Sequence, residues 1–154
     1  MVHEVHFQSE RELIATFGPL VVWIDKGADA RSHGIDRLAE IFEGVLSEQP
    51  AVAVLLVLYE GTRLPEGASR DSAAVLFDSL GDRFVGLTAI LHGAGFWASA
   101  LRSAVTGLGL ELERQTSMHV FSTIEPAAEH LAGQLGISAQ DVATTYLALE
   151  ARLG

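Results

Sequence analysis

The chain has 154 residues, 49% hydrophobic and 19% charged, enough to fill one domain-sized core and too apolar to be intrinsically disordered. Its net charge of −10 comes with ten scattered Lys and Arg and no basic cluster, which argues against nucleic-acid binding and against docking on anionic membrane. The absence of cysteine excludes disulfides, thiolate chemistry and zinc–cysteine sites, and a cytoplasmic location fits that composition.

Met1-Val2-His3-Glu4 lacks the basic start and apolar core of a signal peptide. The longest apolar run, Ala51 to Tyr59, is too short to cross a bilayer, so no membrane insertion is expected. Val2 to Gln8 alternates and predicts an edge strand. Glu12 to Phe17 and Leu20 to Ile24 predict two more strand segments, broken by Gly18-Pro19 and ended by Asp25-Lys26-Gly27. Their pairing is left open by the pattern.

Ser32 to Gln49 predicts a helix, with Ile35, Leu38, Phe42 and Val45 on one stripe and Pro50 as its stop. Ala51 to Tyr59, rich in Val, predicts a central strand buried on both faces. After a loop over Glu60 to Ala68, Ser69 to Leu80 predicts a helix capped by Ser69 and followed by Gly81. Phe84 to Leu91 is the next strand, expected to lie parallel to and beside Ala51–Tyr59 because a helix intervenes. Phe96 to Leu108 predicts a helix rich in small residues, and Ser117 to Phe121 the last strand. Pro126 suits the first position of a further helix that Gly136 ends. Ser138 and Asp141 then open a final helix reaching about Arg152, with Val142, Tyr146, Leu149 and Leu153 on one side. That stripe is expected to pack onto the domain or onto a second subunit. The order predicts an α/β sandwich with a mixed, mostly parallel sheet of about five strands, plus an extra C-terminal helix. It divides into a domain over residues 1–136 and the helix over 137–154.

Few residues invite chemistry. His3 and His6 are three apart on a predicted strand and face opposite ways. His33 and His130 have no histidine one turn on, and His119 has none on its strand. These spacings predict no metal site, and nothing calls for a cofactor. Gly93-Ala94-Gly95 joins a strand end to a helix start, where backbone N–H groups could hold an anion. The same residues equally make a tight turn with Phe96 and Trp97 packed inward. His92 ends the preceding strand, where α/β folds place ligands, and Asp25 and Glu60 stand at the other strand ends. A His–carboxylate pair there could transfer protons, but surface polar residues at loop starts are also ordinary. Asp71-Ser72 falls in the first turn of a predicted helix, where a phosphate on Ser72 would be favoured by the helix dipole and by Arg63 or Arg70. Ordinary helix-start chemistry explains the same pair.

The pattern resembles the STAS domain of anti-sigma-factor antagonists and the related STAS/SEC14-like bacterial proteins. The resemblance runs over Phe7 to Gly136 and is carried by Ala51 to Leu58 followed by Asp71-Ser72, by Leu87 to Leu91, by Gly95 to Gly107, and by Met118 to Ala128. In that resemblance the antagonists are phosphorylated on a serine directly after their central strand, which maps to Ser72. Here Glu60 to Arg70 intervene, and Ala73-Ala74 follow in place of the family's glycine. The resemblance implies a non-catalytic regulatory or adaptor module acting on a protein partner or by self-association. A carrier of a lipid or small apolar ligand, with Phe77, Phe96 and Trp97 lining its cavity, is the second expectation. A hydrolase or lyase using His92 is the third.

Overall fold

The computed structural model describes residues 2–27, 33–60, 62, 75–93, 99, 103 and 117–153. Six strands form one sheet in strict chain order: β1 (Glu4–Gln8), β2 (Glu12–Phe17), β3 (Leu20–Asp25), β4 (Val52–Tyr59), β5 (Phe84–His92) and β6 (Ser117–Phe121). The α/β class and mixed sheet agree with the sequence reading, with six strands rather than five. β1 and β2 pair antiparallel, as do β2 and β3; every later pairing is parallel. β4 and β5 are therefore neighbours and parallel, as the intervening helical segment requires. The first two turns are tight enough for antiparallel return. At Gly18, φ is +55°, a value that suits glycine at a two-residue hairpin turn.

Helix α1 (His33–Leu46) links β3 to β4, and residues 75–79 are helical between β4 and β5. Of the predicted Ser69–Leu80 helix, residues 69–74 lie outside the described residues and Leu80 is in a turn. Most of the predicted Phe96–Leu108 helix also lies outside them, although Ser99 and Ser103 are both helical. After β6 come α2 (Ile124–Leu135) and α3 (Ala139–Ala151).

The alternation of side chains along the strands separates two cores. On one face Ile14, Val21, Val52, Val54 and Leu87 meet Leu38, Ile41, Phe42 and Val45 of α1, with Phe77 and Phe84 stacked at 4.9 Å. On the other, Leu13, Ala15, Phe17, Val22, Leu55, Val57 and Ile90 meet Ala127, Ala128 and Leu131 of α2 and Val142, Tyr146 and Leu149 of α3. The division follows from connectivity. Successive parallel connections that step the same way across a sheet, with one hand, put their helices on one face. The opposite face is equally apolar, and among the described residues the helices after β6 cover it. The stripe on α3 thus packs onto this chain's own sheet. Among the described residues no helix is long and apolar enough to cross a membrane.

The C-terminal helices show their signals locally. α2 begins at Ile124, so Pro126 occupies the third helical position and not the first. The cost is small, because the first four N–H groups of a helix have no partner within it. Gly136 closes α2 at φ +68°, and the Asp141 N–H donates to Ser138 Oγ at 3.2 Å to open α3.

Two glycines should respond in opposite directions to alanine. Gly44 lies exposed within α1, and a Cβ there would meet nothing within 4 Å. Gly44→Ala is expected to stabilise by about 0.5–1 kcal/mol through lower chain entropy. Gly136 has equal room but a left-handed backbone. Gly136→Ala is expected to cost about 1–2 kcal/mol. Urea denaturation of the two variants measures both signs.

Candidate functional site

β3, β4 and β5 run parallel and end side by side, with Tyr59 in register with His92. The His92 ring stacks on the Tyr59 ring at 4.4 Å and 20°, and Lys26 Nζ lies over the Tyr59 ring, 4.6 Å from its centre. The end of β3 is a closed turn. Asp25 Oδ1 accepts the Gly27 N–H at 2.8 Å, Gly27 has φ +97°, and the Arg11 Nε–H donates to the Lys26 carbonyl at 2.9 Å. Thr62 Oγ1 donates to the Asp25 carbonyl at 3.3 Å, which ties the segment after β4 to this turn.

α3 lies over these strand ends. Tyr146 and Glu150 are one turn apart on it and both point to the cluster. Tyr146 Oη is 2.9 Å from His92 Nε2, a bond that either neutral tautomer of the ring can make. The Glu150 carboxylate lies beside Tyr146 and Tyr59, and the buried Tyr59 hydroxyl makes no hydrogen bond of good geometry.

The electrostatics agree with a closed set. Burial holds His92 below the usual histidine range, aided by the Lys26 charge and opposed by Glu150. Burial alone would raise Glu150, but the adjoining Tyr146 and Tyr59 hydroxyls and the charges of His92 and Lys26 bring it below its ordinary value. Burial pushes both tyrosines well above theirs. At neutral pH the cluster therefore holds a neutral imidazole, two phenols and one carboxylate facing Lys26.

The sign of the pH effect follows. His92 and Glu150 both bind protons less readily folded than unfolded, so the unfolded chain gains protons first as pH falls. Their contribution is complete above about pH 6.5, the unfolded histidine value, and is lost progressively below it, with Glu150 adding its share in the acid range. Melting temperature is expected to fall between pH 7.5 and pH 5, and His92→Gln should flatten part of that slope. An unchanged slope in this variant would mean that His92 does not titrate as described.

The sequence-derived candidates separate clearly. His92 is in the cluster, half-buried, and Gly93 follows it, exposed and with φ +144°. Ser72, Gly95, Phe96 and Trp97 lie outside the described residues. The expected carboxylate partners of His92 need correction: Asp25 Oδ1 accepts from the turn at Gly27, Glu60 is exposed, and the carboxylate acting on His92 is Glu150. Sequence reading also missed Lys26, Tyr59 and Glu150 as members. The available signal was the Tyr146–Glu150 spacing on a helix that had to cover a sheet face.

Comparison with protein-family models, with curated proteins and with solved structures gives no match in any of the three.

Proposed function

We propose that this chain is a STAS-like, non-catalytic regulatory or adaptor domain that acts through protein–protein contact in the cytoplasm. One observation carries the reading. At the C-terminal ends of the parallel strands, where α/β enzymes place reacting groups, α3 lies across the site and its Tyr146 and Glu150 engage His92 and Tyr59. The His92–Tyr146 hydrogen bond between strand end and helix makes a structural tie. The serial sheet with an added C-terminal layer supports the STAS-like reading at the level of architecture, and function does not follow from architecture alone. Ser72 remains the proposed phosphorylation site on that resemblance.

A second reading, a hydrolase or lyase using His92, is favoured by the same groups: a neutral imidazole bonded to Tyr146, with the Glu150 carboxylate beside it, suits a general base. Native mass spectrometry of protein isolated from its own host separates the readings. The regulatory reading expects a stoichiometric complex with a second protein or a defined oligomer, and Ser72 phosphate in a fraction of the chains. A bound lipid would instead establish the carrier. A lone chain with neither phosphate nor partner would contradict the regulatory reading.

A further inference from the structure

Spacing along the chain gives His119 and His130 no histidine partner, yet the fold brings them together. His119 is on β6 and His130 on α2, and their rings lie 4.0 Å apart, centre to centre, with a 43° tilt. His119 is exposed, so the pair opens to solvent on one side. His130 Nε2 is buried and has no hydrogen-bond partner. Phe121 closes one flank at 5.7 Å from the His130 ring.

A second polar group points to the same place. Thr88 on β5 is in register with His119, so both side chains leave the sheet on the α2 face. Thr88 is 1% exposed, and its hydroxyl has no partner either. Leaving one such buried atom unsatisfied costs about 1–3 kcal/mol. One of the two is a nitrogen of the imidazole pair and the other a hydroxyl in register with His119 on the same sheet face, an arrangement that suits a polar occupant.

We propose that His119 and His130 form a binding site for a divalent transition-metal ion of the Zn2+ type, pinning the edge strand β6 to α2. Imidazole nitrogen suits such an ion, with bonds of about 2.0–2.1 Å. Two nitrogens on one tetrahedral ion stand about 3.3 Å apart, and the two rings lie 4.0 Å apart, centre to centre. Ligation needs neutral imidazole. The net charge of −10 favours approach of a cation. Among the described residues no group of three or more His, Asp or Glu adds further ligands.

Equilibrium dialysis of the full chain against Zn2+ at pH 7.5, with metal quantified by mass spectrometry, tests the site. One ion per chain is expected. His119→Ala and His130→Ala should each weaken binding by about ten- to a hundredfold, at least the loss that follows removal of an outer-shell partner. Because His119 is exposed, His119→Ala should keep the wild-type circular dichroism spectrum, which separates lost ligation from lost folding. The His3→Ala/His6→Ala variant should bind as wild type. Imidazole 15N signals of His119 and His130 should move on adding Zn2+. Absence of saturable uptake, wild-type affinity in His119→Ala, or loss of binding in the His3/His6 variant would overturn the proposal.

Discussion

A chain ending after Gly136 is expected not to fold. The deletion removes α3, whose Val142, Tyr146 and Leu149 are 1%, 3% and 0% exposed. Burying three such side chains contributes roughly 5–9 kcal/mol. It also uncovers part of one face of the sheet, where Leu13, Phe17, Val22 and Leu55 are almost fully buried, and breaks the tie between Tyr146 and His92. Domains of this size are stable by only about 5–15 kcal/mol in total. No cooperative thermal transition and poorly dispersed amide NMR signals are the expected results. A cooperative melt within a few degrees of the full chain would mean that α3 contributes little to the core.

Tyr146 separates packing from hydrogen bonding within that helix. Tyr146→Ala removes a buried ring that touches the sheet and is expected to cost about 3–5 kcal/mol, the usual result for an aromatic side chain truncated in a core. Tyr146→Phe keeps the ring and removes only the hydroxyl. It leaves the half-buried His92 Nε2 without its hydrogen-bond partner, for about 1–3 kcal/mol. At about 2–4 °C per kcal/mol for a domain of this length, the two variants are readily distinguished by thermal melting. Equal losses would place all of the effect in the hydroxyl, and no loss in Tyr146→Phe would show that the hydrogen bond is not formed.

The scaffold was legible because strand and helix periods differ. The run from Ala51 to Tyr59 marked a central strand, and the intervals from Val142 to Leu153 marked the buried side of α3. The strand count fell one short because Gly18-Pro19 could be read as an interruption as readily as the hairpin that joins β2 to β3. Site chemistry was less legible for a physical reason. His92 could be placed at a strand end, but Tyr59, Lys26 and Glu150 gather around it only after β3, β4 and α3 have packed. Local spacing also set His119 and His130 apart, whereas the register of β6 and the docking of α2 bring their rings together. Contacts between elements carry no period within either one.

The functional reading rests on the strand-end cluster being an internal tie, and a double-mutant cycle on His92 and Tyr146 measures that tie directly. His92→Phe, Tyr146→Phe and the double variant would be unfolded in urea at pH 7.5, where His92 is neutral. The expected coupling is favourable by about 0.5–1.5 kcal/mol, the net worth of a neutral hydrogen bond at 2.9 Å between half-buried and buried partners. Additive losses, with coupling near zero, would contradict the tie and return His92 to the position of a free strand-end base.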